Sequence, residues 1–334
     1  MAAGIIGLGG YLPEGVLTNE ELARRFDVTP EWIFERTGIR QRHIAASGQH
    51  CSDLAIAAAR QALANSGTAP DELGLIILAT STPDQPSPAS AARVQHALEA
   101  TRAGCFDLSA ACSGFIHALT MACHPVDSGQ SERILVIGSE LLSRYANPND
   151  RDTAILFGDG AGAAVIGRVP HGYGLIASDL GSDGSLYDAL GISRAPTVAD
   201  AEHIAAPSVR APLIYMDGWQ VFGFAMRVIG DSVRRLTQNA GVALSDIDLF
   251  VPHQASQRII EAGARRIDMP LEKTVMSLET HGNTSAASIP MALNEAKDAG
   301  RLENDKLIAM VGFGGGLGWA SCLMRWHAGQ GKHD

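Results

Sequence analysis

The stretch NSGTAPDELGLI at 65–76 returns as NAGVALSDIDLF at 239–250, with Asn, Gly, Ala, an acidic residue, Leu or Ile, and Leu at the same offsets. Helix-like sequence precedes each copy, LAIAAARQALA before the first and AMRVIGDSVRRLT before the second. Each then runs into an apolar segment of strand length, LIILATS or LFVPHQ. A second pair agrees: FGDGAGAAVIG at 157–167 matches FGGGLGWASCL at 313–323, a glycine-rich turn entering a strand-like tail. The unequal separations fit an insertion in one half. Alternating helix and strand signals mean α/β layers, and repetition means duplication. The expected fold is a duplicated α/β body with halves at 1–168 and 169–334. A pseudo-twofold axis would run between them, where corresponding loops can meet.

The composition suits such a body. The chain has 334 residues, 46% hydrophobic and 19% charged, enough apolar matter for a sizeable core and too little charge for wholesale disorder. Its formal charge of −10 argues against nucleic acid or an anionic membrane as a partner bound through global charge. An acidic partner would require a local basic patch. Cys51, Cys105, Cys112, Cys123 and Cys322 are odd in number and show no C-x-x-C spacing, which disfavours a disulfide framework or structural zinc and suits a reducing cytoplasm. The first basic residue is Arg24, unlike the start of a secretory signal, and the longest strongly apolar run, 73–79, is too short to span a bilayer. A cytoplasmic, soluble protein is expected.

Corresponding loops carry the reactive residues. In CFDLSAACSGFIHALTMA (105–122) a strand, a small-residue turn and an apolar helix follow one another, and the helix begins just after Cys112. A thiol at a helix N-terminus faces the positive end of the macrodipole, so its pKa should fall. VMSLETHGNTSAASIPMALNEA (275–296) places Asn283 on the matching turn, and LFVPHQASQRII (249–260) places His253 between a strand and a helix. Buried cysteines and histidines are more often structural than catalytic, and Cys51, Cys105, Cys123, Cys322, His117 and His124 fit that description. Cys112, His253 and Asn283 stand out because all three sit at strand-to-helix turns.

DLSAACSGF around Cys112, VPHQAS at 251–256 and HGNTSAASIP at 281–290 closely resemble the three catalytic motifs of the β-ketoacyl-ACP synthase III family. FGDGAGAAV and FGGGLGWAS resemble its two glycine-rich segments, and GYLPEGVLTNEEL followed by EWIFERTGIRQRHIA at 31–45 resembles its opening. The similarity runs from about residue 4 to 326. It implies the thiolase fold, a duplicated five-layer αβαβα arrangement, in a homodimer. It also implies condensation of an acyl-CoA primer with malonyl-ACP, with coenzyme A thioester as substrate and no cofactor or metal.

Carried over to this chain, the resemblance makes Cys112 the nucleophile and His253 and Asn283 the donors that stabilise the malonyl-derived enolate. Backbone N–H groups of Cys112 and Gly315 would form the oxyanion hole, and Phe313 would shield the leaving carboxylate. Trp32 and Arg151 match a pair that sandwiches the coenzyme A adenine, with Arg36 and Thr37 beside them. Arg258 matches a carrier-docking position, with Arg265 and Arg266 at helical spacing after it. Arg227, Arg234 and Arg235 make a second set whose plainer reading is a solvated face.

Three positions leave the family pattern. Ser87 stands where many members carry a bulky aromatic reaching across the dimer to close the acyl pocket, which suggests a primer larger than acetyl. Trp219 replaces a small polar residue near the pantetheine tunnel, and Ser256 replaces an Asn that follows HQA. The nearest rival reading is a relative that primes a polyketide pathway or transfers acyl groups without decarboxylation. A type III polyketide synthase uses similar residues but fits the intact motifs less well. Gly158-x-Gly160-x-x-Ala163 satisfies a dinucleotide fingerprint, yet the following AAVIGRV reads as a strand where that fingerprint needs a helix. A papain-like protease would leave the duplication unexplained, and a non-catalytic scaffold would leave the three turns unexplained.

Overall fold

The computed structural model describes residues 1–193 and 212–328. Its strands in chain order are β1 (Ala2–Tyr11), β2 (Gly15–Thr18), β3 (Gln41–Ile44), β4 (Leu75–Ala79), β5 (Gly104–Leu108), β6 (Ile134–Leu141) and β7 (Asp159–Val169). There follow β8 (Gly174–Ser182), β9 (Leu190–Ile192), β10 (Ile214–Met216), β11 (Leu249–Pro252), β12 (Leu307–Gly314) and β13 (Gly318–Arg325).

The two large sheets have the orders β1-β7-β6-β4-β5 and β8-β13-β12-β11, and β2–β3 and β9–β10 form two-stranded pairs beside them. The senses repeat as well as the order. β4–β6 and β11–β12 are parallel, whereas β6–β7, β7–β1, β12–β13 and β13–β8 are antiparallel. A single parallel bridge, Phe250 to Thr274, stands beyond β11 where β5 stands beyond β4. The glycine shared by the two opening sequences now has a reason. Gly67 and Gly241 end the helices Cys51–Ser66 and Gly218–Ala240 in the left-handed region, φ +65° and +66°, where a Cβ is disfavoured.

The helices Gly114–Asp127 and Ser288–Asp298 fill the space between the sheets. Phe115, Ile116 and Leu119 of the first pack with Ile289 and Leu293 of the second, against Ile77, Val136 and Ile166 of one sheet and Val251 and Met310 of the other. Burial on both faces explains why β6 reads as the near-continuous apolar run ILVIGSEL, every residue of it buried. Cys51–Ser66 and Ser90–Ala97 cover the outer face of one sheet, and Gly218–Ala240 and Gln257–Arg266 that of the other. The result is five layers, α-β-α-β-α. Phe115 is fully buried at the centre of this stack, so Phe115→Ala should cost about 3–5 kcal/mol. Among the described residues no helix is long and apolar enough to cross a membrane.

Candidate active site

Two turns of the same backbone design meet at the junction of the sheets. After β5, Ala111 takes φ +46°, a short 3₁₀ turn covers Ala111–Ser113, and the helix Gly114–Asp127 begins. After Asn283, Ser285 takes φ +49°, a 3₁₀ turn covers Ser285–Ala287, and the helix Ser288–Asp298 begins. A left-handed conformation is costly for any residue with a Cβ, and here it bends the chain sharply from one element into the next. The turns pack on each other. Cys112, 8% exposed, sits in the first.

Gly314 closes the pocket around the thiol. A Cβ there would lie 2.9 Å from both the N and Cβ of Cys112 and 3.0 Å from its Sγ, so only glycine lets β12 end against the thiol. The family motif points to Gly315, whereas the glycine that the thiol itself requires is its neighbour Gly314.

Asn283 is clamped by its backbone. Its N–H donates to the Leu156 carbonyl at 2.9 Å, and its carbonyl accepts from Gly158 N–H at 3.0 Å. Its side-chain Oδ1 accepts from Ser285 N–H at 2.9 Å, and Nδ2 has no hydrogen-bond partner among the described residues. His253 follows β11 and extends its pairing through a 2.8 Å bond from its N–H to the Val311 carbonyl. Its ring lies 5.4 Å from that of Phe313, edge to face. Gln254 braces the bend, donating to Pro252 and Val275 carbonyls and accepting from Ser277 N–H.

Burial dominates the electrostatics. It pushes the Cys112 thiol up to about 12, with the Glu140 carboxylate adding to the effect and the Ser285 hydroxyl opposing it. This corrects the expectation from the helix dipole. The full α-helix starts only at Gly114, and loss of water around the sulfur outweighs the dipole. Burial also holds the His253 imidazole neutral, its pKa lowered to about 3. Glu140 was not singled out from sequence. It is fully buried at the end of β6, and desolvation raises it to about 7. The available signal was an acid inside an otherwise aliphatic strand.

Cys112, His253, Asn283, Phe313, Gly315 and Ser285 all line one cavity of about 1120 Å³. Arg36, Thr37, Trp219, Ser256, Arg258 and Arg265 line its outer part. Ser256 is also the N-cap of Gln257–Arg266, accepting from Ile259 N–H at 3.4 Å. Thr37 spends its hydroxyl internally, donating to the Ile33 carbonyl at 2.7 Å and accepting from Ile39 N–H at 3.0 Å. Trp219 is 90% exposed, so its indole stands out from the rim.

Trp32 and Arg151 lie together just outside the cavity, the guanidinium 4.6 Å from the indole centroid, with Arg36 at 5.2 Å. A flat ring needs a contact of roughly 3.5–4.0 Å on each face, so the pair must part before a purine fits between them. Ser87 is exposed and lies outside its own chain's cavity. Arg266 points away from the cavity toward Gly230. Arg227 and Arg235 are taken up by ion pairs with Asp183 and Asp179, at 3.1 and 2.7 Å, in keeping with a structural role. Among the described residues no group of three His, Cys, Asp or Glu could hold a metal ion.

Residues 106–184 match the family model for 3-oxoacyl-[acyl-carrier-protein] synthase III, and residues 237–326 match the model of that family's C-terminal part. The β-ketoacyl-[acyl-carrier-protein] synthase III of Symbiobacterium thermophilum is 47% identical, covering 97% of this chain and 98% of its own. The chain belongs to the 3-oxoacyl-ACP synthase III family. Among solved synthase III structures, that from Aquifex aeolicus superposes with a TM-score of 0.89 at 41% identity, covering 97% of this chain and 100% of its own. The priming β-ketosynthase of the R1128 polyketide pathway superposes at 0.91 with 36% identity, covering 97% and 96%. The two paired turns thus belong to a synthase III framework of the thiolase fold.

Proposed function

We propose that this synthase III joins an acyl-CoA primer to malonyl-ACP through an acyl-enzyme on Cys112, giving β-ketoacyl-ACP and carbon dioxide and starting fatty acid synthesis. It is thereby an acyltransferase of class EC 2.3.1.180. The observation that carries the reading is the convergence of a thiol, a neutral imidazole and a primary amide on one cavity. We assign the thiol to the half 1–168 and the other two groups to the half 169–334.

In the first half-reaction the Cys112 sulfur attacks the primer thioester, the carbon–sulfur bond to coenzyme A breaks, and the thiol proton of Cys112 passes to the leaving sulfur, so that coenzyme A departs as the thiol. In the second, the bond from the malonyl carbon to its carboxylate breaks. The electron pair becomes an enolate whose oxygen meets His253 Nε2–H and Asn283 Nδ2–H, two fixed neutral donors in a site shielded from water. The nucleophilic carbon then attacks the acyl-enzyme. The N–H groups of Cys112 and Gly315 receive the oxyanion, and Cys112 leaves as thiolate. Phe313, packed on His253, keeps water from the departing carboxylate.

Trp32, Arg36, Thr37, Arg151, Trp219 and Ser256 are assigned to the coenzyme A arm. Arg258, Arg265 and Arg266 are assigned to the acidic carrier, the local exception that a chain of charge −10 requires. A homodimer would bring Ser87 of one protomer to the other's acyl pocket, and no cofactor is called for. Likeness to a priming ketosynthase favours a second reading, in which the same condensation serves a polyketide pathway.

Intact-mass detection of acylated Cys112 across an acyl-CoA panel, followed by a malonyl-ACP chase, tests the proposal. Acylation with carbon dioxide release on the chase is expected, with His253→Ala and Asn283→Ala acylating normally but failing the chase. Normal chase in both variants would overturn the donor assignment.

A further inference from the structure

The chemistry above makes no use of Glu140, although it is a fully buried acid close behind the nucleophile. Among the described residues no lysine or arginine pairs with it. Its carboxyl oxygens are met by hydrogen bonds alone. Oε2 accepts from Thr82 Oγ1 at 2.8 Å and from Thr80 Oγ1 at 3.4 Å, and Ser81 N–H reaches both oxygens at 3.2 and 3.1 Å. Oε1 accepts from Ser285 Oγ at 3.0 Å. Filling this place with an aliphatic side chain would avoid the burial of an ionisable group, so the carboxyl group points to a task beyond packing.

Ser285 carries that task to the cavity. At φ +49° glycine would be easier to accommodate. Serine adds a hydroxyl, and the hydroxyl binds Glu140. The backbone N–H of the same residue donates to Asn283 Oδ1 at 2.9 Å. An amide whose oxygen is fixed this way presents Nδ2 toward the cavity, and only Nδ2 can donate to an enolate. The Asn283 main chain is held separately by Leu156 and Gly158, which leaves the orientation of its side chain to the Ser285 N–H.

We propose that Glu140 and Ser285 are a positioning pair for Asn283: the carboxylate anchors the serine hydroxyl, and the anchored turn aims the asparagine amide at the enolate oxygen. The inference rests on the assignment of Asn283 to the enolate.

The test uses acyl-enzyme formed beforehand on Cys112, so that acylation does not enter, and follows carbon dioxide release on adding malonyl-ACP. Ser285→Gly removes the anchor while suiting the backbone, and its melting temperature should stay within a few degrees of the parent. Glu140→Gln keeps the shape but turns one of the two acceptor oxygens into an NH2 donor, so the head group can no longer accept from Thr82 on one side and Ser285 on the other at once. Each variant should lower the chase kcat by about 10- to 100-fold, the scale expected for a small misplacement of a reacting group, with KM for malonyl-ACP unchanged. The double variant should be no slower than the slower single one, since the two residues act in series.

Parental chase in both single variants with a slow Asn283→Ala would overturn the pair and leave the Asn283 assignment standing. Parental chase in Asn283→Ala would overturn that assignment and the pair with it. A joint fall in melting temperature, acylation and chase, or additive losses in the double variant, would reduce the pair to a structural role and overturn the proposal.

Discussion

Ser288 Oγ lies 2.7 Å from Nδ1 of His253 and is also reached by Gln254 N–H at 3.4 Å. A hydroxyl that accepts from Gln254 is free to donate to Nδ1, and a neutral ring bonded in this way carries its own proton on Nε2. That tautomer would give His253 the Nε2 donor that its assigned role requires. Ser288→Ala should slow malonyl decarboxylation by roughly tenfold or more while leaving Cys112 acylation near parental. Stopped-flow rates of the two half-reactions check this.

The same imidazole is a source of acid sensitivity. Its folded pKa, about 3, lies below the ordinary 6.5, so the unfolded chain takes up the proton first. The stability attached to neutral His253 is complete above the ordinary value and is lost as pH falls through that window. His253→Asn should therefore lose less stability than the parent between pH 7 and pH 4. Urea midpoints at the two pH values measure the difference.

Burial of Cys112 predicts a slow thiol in the free protein. With its pKa pushed up to about 12, alkylation by iodoacetamide should rise about tenfold per pH unit from 7 to 9 without levelling off. A plateau near pH 7 would show a thiolate stabilised beyond what the surroundings of Cys112 supply. Peptide mass spectrometry after timed labelling distinguishes Cys112 from the other four cysteines.

Gly314→Ala should be more damaging than its size suggests. The added methyl would press on Cys112 N and Cβ at 2.9 Å, and much of that contact is backbone. A stability loss of about 1–3 kcal/mol is expected, together with loss of acylation. Thermal melts and intact-mass acylation read the two effects separately.

Opening the Trp32–Arg151 contact should matter only to donors that carry an adenine. Arg151→Ala is expected to raise KM for acyl-CoA about 2- to 5-fold, in line with roughly 0.5–1 kcal/mol for an exposed cation–π contact. KM for the matching acyl-N-acetylcysteamine thioester should not change. An equal rise for both donors would remove adenine stacking from the assignment.

Much of this architecture was legible in the sequence because duplication writes the same instruction twice. Gly67 and Gly241 end equivalent helices, and the strands after them occupy equivalent places in the two sheets. Cys112 and His253 stand out because each lies between a strand and a helix, a place with its own local signature, whereas Asn283 follows the short helix Leu278–His281 and not the expected strand. Glu140 could not be placed that way. Its partners lie 60 residues away at Thr80 and 145 away at Ser285, and no local pattern encodes such a bond. The reversed expectation for Cys112 has the same origin: sequence shows the nearby helix start but not the depth of the pocket. The exposure of Trp219 and the closed Trp32–Arg151 contact likewise depend on how distant segments pack.

The left-handed Ala111 immediately before the nucleophile bears on how this protein would respond to selection. Relief of the left-handed conformation is worth roughly 1–2 kcal/mol and the added chain entropy of glycine costs roughly 0.5–1 kcal/mol, so glycine at 111 would be neutral or mildly stabilising. It would also let the turn wander and carry the sulfur with it. A screen for heat tolerance alone would accept that change, whereas a screen for turnover would reject it. At this residue thermal robustness and catalytic fitness pull the sequence in opposite directions.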